Sequence, residues 1–341
     1  MELVAIPENP VPEGAVLVGL TTRDGAKLRV ARWAAAAAPR GTVVVLPGRA
    51  EFIEKYFETI SELLARDFAV VALDWRGQGL SERQLRNRRK GHIDDFEIYE
   101  RDLDALSEQV LEALCPRPWF ALGHCMAAAI LIQQARAGRS PFARIVVTSP
   151  MIDVYRLPLK TGARILFEGL DIVGLGGAFV PGGRGRPVFL QSFAETVLTS
   201  DPVRHARTAA ILKAAPQLGV GDPTIGWTNA AFRLIRQFED ADYPRRTLTP
   251  ILVMAAGADR IVSTPATERF AGRLKAGRFI TLPYARHDIL MERDDFRSQF
   301  WAAFDAFVPG VEDRLAISLA SMPTPRRRTR RFWPWASAAA S

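Results

Sequence analysis

Residues 119–137 read WFALGHCMAAAILIQQARA, and no other stretch constrains the fold as strongly. The first four residues are apolar and predict a buried strand, while Met126 to Ala137 lacks helix breakers and predicts a helix. Small residues stand two positions before and two positions after Cys125. A strand that turns straight into a helix strains its central residue and lifts that side chain clear of the sheet. The stretch therefore predicts a nucleophile elbow centred on Cys125.

The expected reactivity of Cys125 follows from its place at the start of a helix. The helix dipole and the free backbone N–H groups stabilise a thiolate there, which makes the cysteine more reactive. Such elbows usually end in glycine, and Ala127 stands there with one extra methyl group. An inert cysteine buried against an alanine-rich helix would have a similar sequence. Five residues alone do not separate these two interpretations.

A nucleophilic cysteine needs a histidine that takes its proton and a carboxylate that orients the histidine. The run 251–256 predicts a buried strand, and Asp259 lies in the loop after it. A further strand is predicted at 278–282, and His287 follows it. Taken alone, Asp259 is equally well a turn cap and His287 an ordinary loop histidine. In this order along the chain, Cys125, Asp259 and His287 together predict a catalytic triad.

The strand predicted at 42–46 runs directly into Pro47-Gly48. A glycine at this point lets backbone N–H groups face the negative charge that develops on an attacked carbonyl oxygen. We expect the backbone N–H groups of Arg49 and Met126 to form this oxyanion hole. Each such donor contributes on the order of 3 kcal/mol to stabilisation of the transition state.

Separated blocks of the chain agree in wording and spacing with one known family. These blocks are PGRAEFIEKYFETI (47–60), LDWRGQGLSER (73–83), NRRKGHIDDF (87–96), GHCMA (123–127), LTSDPVRHAR (198–207), GADRIV (257–262) and ARHDILMERD (285–294). Over residues 15–308 the chain resembles the monoglyceride lipase and bacterial lysophospholipase-like branch of the α/β-hydrolases. The resemblance implies the same triad and the same oxyanion donors.

The chain departs from the family pattern at two positions. Pro47 replaces the usual histidine before the oxyanion glycine, although a Pro-Gly-Arg form occurs in the lysophospholipase-like group. Cys125 replaces the usual serine, as in some α/β-hydrolases that resemble dienelactone hydrolase. A longer C–S bond shifts the attacking atom, and a displacement of about 1 Å can lower the rate on the order of 100-fold. The resemblance therefore leaves the efficiency of turnover open.

The resemblance implies an α/β fold with a mostly parallel, eight-stranded sheet covered by helices. Residues 1–150 and 244–310 are expected to form the core, and residues 151–243, which lack a strong strand pattern, an inserted helical cap over the active site. The strands are predicted near 15–22, 26–33, 42–46, 68–73, 118–122, 145–149, 251–256 and 278–282.

Composition narrows the class of protein further. The chain has 341 residues, 48% of them hydrophobic, which is enough for a large core and an insert. Its two cysteines offer no disulfide framework, so we expect a reducing, cytoplasmic location. No run approaches ~18 apolar residues, and the N-terminus lacks a signal-peptide pattern. No metal-ligand spacing or phosphate-binding loop is found, so the predicted activity needs no metal or cofactor.

The net charge of +8 is concentrated near the C-terminus, where residues 322–341 read MPTPRRRTRRFWPWASAAAS. One interpretation of residues 311–341 is a disordered tail that favours solubility. The other is weak contact with an anionic membrane surface, since basic residues and tryptophans suit the lipid headgroup zone. Nucleic-acid binding is not predicted, because the basic residues form no folded stripe.

Together these features predict a carboxylic-ester hydrolase acting on a small lipid-like acyl ester, of lysophospholipid or monoglyceride type, through an acyl-Cys125 intermediate. One alternative is an acyltransferase or other thioester-handling enzyme, in which an acceptor other than water takes the acyl group. The other is a binding protein that keeps the acyl pocket without turnover.

Overall fold

In the computed structural model, residues 2–35, 39–156 and 160–309 are described. Eight strands in this part of the chain form one sheet, and each lies within about two residues of its predicted bounds. The strands are β1 Val16–Thr21, β2 Lys27–Trp33, β3 Thr42–Leu46, β4 Ala69–Asp74, β5 Trp119–His124, β6 Arg144–Thr148, β7 Ile251–Ala256 and β8 Gly277–Leu282. The predicted fold class is therefore confirmed.

The strand order across the sheet is β1-β2-β4-β3-β5-β6-β7-β8. The β1–β2 and β2–β4 pairs are antiparallel, whereas every pair from β4 to β8 is parallel. All residues of β3, β4, β5 and β7 are buried, as expected for parallel strands covered on both faces. Parallel strands end at the same edge of a sheet, so the loops after β3, β5, β7 and β8 meet there.

Helices connect and cover the strands. The α-helices are α1 Phe57–Leu64, α2 Glu97–Leu106, α3 Glu112–Leu114, α4 Met126–Arg136, α5 Lys160–Leu170, α6 Pro202–Ala214, α7 Ile225–Phe238, α8 Thr264–Ala271 and α9 Asp294–Phe307. Short 3-10 turns lie at Ile53–Tyr56, Val188–Leu190, Pro216–Leu218, Pro244–Arg246 and Ile289–Met291, and π turns at Ser107–Leu111 and Asp171–Leu175. None of the helices in the described residues is long and apolar enough to cross a membrane.

The alternation of side chains along each strand divides the core between the two faces of the sheet. On one face, Val44 of β3 belongs to the same buried cluster as Ile130 of α4. On the other face, Val43 belongs to a cluster with Ile60 of α1 and Phe300 of α9. Helices therefore cover both faces of the sheet. The loops that follow the strands lie at the edge formed by the carboxyl ends of the parallel strands.

The chain between β6 and β7 holds α5, α6 and α7, and its described residues contain no strand. We call residues 151–243 the insert. The imidazole Nδ1 of His92, in the core loop before α2, lies 2.8 Å from the Thr224 hydroxyl at the start of α7, which joins the core to the insert. The compact unit ends at Val308. The predicted cap role and domain boundaries stay predictions, and residues 311–341 lie outside the described residues.

Candidate active site

Cys125 lies in the tight turn between β5 and α4, with φ of 50° and ψ of −105°. L-residues rarely adopt a positive φ, so the backbone is strained here. A Cβ atom built on Gly123 would lie 2.6 Å from Leu131 Cδ1 and 3.3 Å from the carbonyl carbon of Ala127. Strand and helix therefore approach too closely for a side chain at position 123. This is the backbone geometry that the sequence pattern predicts around Cys125.

Asp259 and His287 come together at the carboxyl edge of the sheet, in the loops after β7 and β8. The Asp259 Oδ2 atom lies 2.7 Å from Nδ1 of His287. The other carboxylate oxygen, Oδ1, accepts hydrogen bonds from the backbone amides of Ile261 (2.7 Å) and Val262 (2.9 Å). The side chain of Cys125 is close enough to the same imidazole to interact with it electrostatically. The structure therefore brings the three predicted residues together at one edge of the sheet.

The charges around His287 favour the protonated form of its imidazole. Burial opposes a charge on His287, but the Asp259 carboxylate, with its hydrogen bond, and the Cys125 side chain raise the pKa of this imidazole well above the usual value. Burial likewise opposes the Asp259 charge, yet the His287 charge, their hydrogen bond and the two backbone amides lower the pKa of this carboxyl. A raised pKa makes the neutral imidazole a stronger base, so it can take the proton of a neighbouring thiol and become the imidazolium.

The loop after β3 is fixed by hydrogen bonds on both sides of Arg49. The Gly48 amide donates to Glu51 Oε2, and the Ala50 amide donates to Gln78 Oε1 at 2.7 Å. The Gln78 side chain donates back to the Gly48 carbonyl at 3.0 Å. Among the described residues, neither the Arg49 amide nor the Met126 amide has an acceptor. The backbone N–H groups of the two predicted oxyanion donors therefore make no hydrogen bond to the described residues.

A buried charged cluster lies directly behind His287. Lys55 contacts the carboxylates of both Glu51 and Asp288, and the three side chains are almost wholly buried. The Tyr56 hydroxyl donates to Glu51 Oε2 at 2.5 Å. The His124 ring packs on the His287 ring, with centroids 4.8 Å apart. We call Glu51, Lys55, Tyr56, His124 and Asp288 the buried charged cluster.

This cluster also contains the one group of described residues with the donor atoms for a metal ion. One ligand atom each from Glu51, His124 and Asp288 lies within 4.8 Å of the others. The ammonium of Lys55 already contacts both carboxylates, so the positive charge that they require comes from the protein. Burial lowers the pKa of His124, which favours the neutral imidazole beside this ammonium.

The sequence analysis missed the buried charged cluster. Its signals were present, because Glu51 and Lys55 are four residues apart in one block and Asp288 directly follows His287. A glutamate and a lysine at that spacing usually form an exposed helical pair, so residue type and spacing did not indicate burial.

The strand order and the turn at Cys125 define the protein as an α/β-hydrolase. Residues 37–294 match the family described as serine aminopeptidase, S33 (Hydrolase_4), and the chain belongs to this family. The family's description names serine, whereas cysteine stands at position 125 in this chain.

Related proteins narrow the class of enzyme. The chain is 31% identical to lysophospholipase L2 of Escherichia coli over 75% of its own length and 76% of that protein. It is 29% identical to human monoglyceride lipase over 39% of this chain and 42% of that one. These relatives are ester hydrolases, and the predicted enzyme class, a carboxylic-ester hydrolase with the α/β-hydrolase fold, is confirmed.

Solved structures agree on the fold. A soluble variant of the monoglyceride lipase from Saccharomyces cerevisiae superposes with a TM-score of 0.66 at 17% identity, covering 86% of this chain and 95% of that one. A thermostable carboxyl esterase from Bacillus coagulans gives a TM-score of 0.69 at 16% identity, covering 87% and 100%. At such identities the likeness concerns the fold alone.

Proposed function

We propose that the protein hydrolyses a carboxylic ester of a lysophospholipid or monoglyceride through an acyl-Cys125 intermediate. The observation that supports this most directly is the His287 imidazole, which is hydrogen-bonded to Asp259 and interacts electrostatically with Cys125. The names of the relatives, lysophospholipase and monoglyceride lipase, support the lipid-like substrate.

In the acylation step, His287 takes the thiol proton and Cys125 Sγ forms a bond to the ester carbonyl carbon. The carbonyl π electrons move to oxygen, and the amides of Arg49 and Met126 donate hydrogen bonds to that oxyanion. When the oxyanion collapses, the bond to the alcohol oxygen breaks. The imidazolium returns its proton to the leaving alcohol, and a thioester remains on Cys125.

In the deacylation step, His287 removes a proton from water, and the water oxygen forms a bond to the thioester carbonyl. The same two amides stabilise the second oxyanion. The C–S bond then breaks, the free acid leaves, and the proton on the imidazole returns to Sγ. Asp259 holds Nδ1 of the imidazole throughout and stabilises its positive charge.

The test is hydrolysis of p-nitrophenyl acyl esters, a lysophospholipid and a monoglyceride by the wild type and by Cys125→Ala. We expect Cys125→Ala to lose activity by roughly 1,000-fold or more, since removal of a nucleophile leaves only binding and the oxyanion hole. Cys115→Ala is the matched control, because burial raises the pKa of the Cys115 thiol to about 11 and leaves it unreactive. Equal activity in wild type and Cys125→Ala would contradict the mechanism.

The cysteine itself favours acyl transfer as a second candidate function. A thioester is attacked readily by alcohols and amines as well as by water, so an acceptor bound near Cys125 could take the acyl group. Product analysis with added glycerol or an amine separates the two outcomes, since transfer yields an acylated acceptor and hydrolysis yields only free acid.

A further inference from the structure

The side chain of Arg49 extends from the predicted oxyanion loop to the insert. Its Nη2 atom donates a hydrogen bond of 2.7 Å to the carbonyl oxygen of Gly221, which lies in the segment before α7. Its guanidinium carbon lies 5.1 Å from the centroid of the Trp227 ring, on α7 itself. The cation is thus held between core and insert by a neutral carbonyl and by the face of an aromatic ring.

This cation has no anionic partner within the described residues. Its Nε atom is buried without an acceptor, and no carboxylate forms an ion pair with it. Asp222 acts on it only at longer range, and the Asp222 carboxylate accepts a 2.7 Å hydrogen bond from the Arg184 amide. Burial lowers the pKa of Arg49 to about 10, so the guanidinium keeps its charge at neutral pH.

Arg49 is partly buried, and two more deeply buried arginines of the described residues differ from it because they have carboxylate partners. Arg29 makes ion pairs of 2.7 Å with Glu54 and 2.6 Å with Asp74, both fully buried. Arg76 likewise contacts Asp24 and Asp102. Burying part of a charged group without a partner is unfavourable, so an arginine whose Nε is buried without an acceptor is available to an anion that comes from outside.

The loop that carries Arg49 lies next to the turn at Cys125, since Leu46 of β3 pairs with Gly123 of β5, and the two side chains interact electrostatically. The guanidinium of Arg49 thus provides an uncompensated positive charge near the proposed reaction centre. We propose that Arg49 is a specificity-determining residue, and that its guanidinium binds an anionic group, a phosphate, carried by the ester substrate. This inference rests on the proposed function, and it selects a phosphate-bearing lysophospholipid over an uncharged monoglyceride.

A guanidinium suits this task because its planar fork can donate two parallel hydrogen bonds to phosphate oxygens. The unpartnered Nε is one such donor, and Nη1 and Nη2 are the others. Binding would exchange a carbonyl contact for contacts to a charged acceptor, which are stronger in a site shielded from water.

The test compares two substrates that share a short acyl chain, such as an octanoyl ester of glycerophosphoglycerol and the corresponding monoglyceride. We measure kcat/KM for wild type, Arg49→Met and Arg49→Lys. For Arg49→Met we expect the preference for the phosphate substrate over the monoglyceride to fall by roughly 10- to 100-fold. Arg49→Lys should keep more of that preference than Arg49→Met, because lysine keeps the positive charge but lacks the planar pair of donors.

Arg83→Met is the matched control. Arg83 is also a partly buried arginine that reaches the insert through a carbonyl, with Nη2 3.3 Å from the Gln217 oxygen. Burial lowers its pKa to about 10 as well, but Cys125 is not among the groups that act on it. Arg83→Met should therefore leave the ratio of the two substrates unchanged.

A binding measurement separates this inference from the proposed function. In the Cys125→Ala background, Arg49→Met should weaken calorimetric binding of the octanoyl lysophospholipid and leave that of the monoglyceride nearly unaltered. If the wild type hydrolyses neither ester but this binding pattern is observed, the result contradicts the proposed function and leaves the inference on Arg49 standing. Equal losses on both ligands, in rate and in binding, would overturn the inference and leave Arg49 as a contact between core and insert.

Discussion

His287 lies between two groups that favour its protonated form, so the stability of the protein should depend on pH through this residue. Its pKa in the folded protein is raised above the ordinary value of 6.5, so its contribution to stability is complete below pH 6.5 and is lost as the pH rises through the folded value. The Asp259 pKa is lowered from 3.8, so its contribution is present above pH 3.8 and is lost as the pH falls. The pair therefore stabilises the fold most between these two values.

Asp259→Asn tests this dependence in the Cys125→Ala background, in which the only charged partner changed is the carboxylate. Urea denaturation should show a larger loss of unfolding free energy at about pH 5.5 than at about pH 9.5, because the protonated His287 needs the carboxylate. Glu268→Gln, an exposed acid on α8, reports any general effect of losing a negative charge. The same loss at both pH values would show that the ion pair does not form.

At the scale of elements, Lys55 links the turn before α1 to the loop after β8. Its ammonium contacts Glu51 in the loop just before that turn and Asp288 beside His287. The Asp288 Oδ1 atom is buried without a hydrogen-bond partner, so this carboxylate depends strongly on Lys55. The contact therefore fixes the loop with the predicted base relative to the loop with a predicted oxyanion donor.

Lys55→Met should lower the unfolding free energy by roughly 3–5 kcal/mol, since it leaves two buried carboxylates without a cation. Urea denaturation measures this, and Lys275→Met, which replaces an exposed lysine, should change the value by less than about 0.5 kcal/mol. The double variant Lys55→Met with Asp288→Asn removes one of the two unpaired carboxylates and should recover part of the lost unfolding free energy. A Lys55→Met protein as stable as the Lys275→Met control would refute this account.

At the scale of the whole molecule, the chain combines the folded unit with a basic and aromatic C-terminal sequence. Five arginines, at positions 326–328, 330 and 331, supply much of the net charge of +8. Each basic residue near an anionic membrane surface contributes about 1 kcal/mol of attraction. The membrane interpretation of this sequence therefore predicts weak, salt-sensitive contact, whereas the solubility interpretation predicts none.

Sedimentation with phosphatidylglycerol-containing vesicles tests this prediction on the full chain. Wild type should sediment with the vesicles at low salt and be released at high salt, while replacement of the five arginines by glutamine should abolish sedimentation. Arg86→Gln with Arg88→Gln removes exposed charges from the folded unit and is the matched control. Sedimentation of the five-arginine variant at the wild-type level would favour a tail that serves only solubility.

The fold was readable from the sequence because its signals are local. Apolar runs of strand length set the bounds of β3 and β7, and small residues beside Cys125 mark a turn that only a close strand–helix approach requires. Cys125, Asp259 and His287 each follow a strand that was predicted from the sequence. A parallel sheet brings such loops to one edge, so their meeting followed from the topology.

The pairing of charges was decided by the tertiary structure alone. Lys55 and Asp288 are 233 positions apart, and Arg49 and Gly221 are 172 apart. Whether a charged side chain is buried, and whether it finds an opposite charge there, depends on how distant loops pack against one another. Residue type and spacing hold no information on that packing. The sequence was therefore enough to select Cys125, Asp259 and His287 as candidates. Only the folded chain distinguished the paired cation of Lys55 from the uncompensated cation of Arg49.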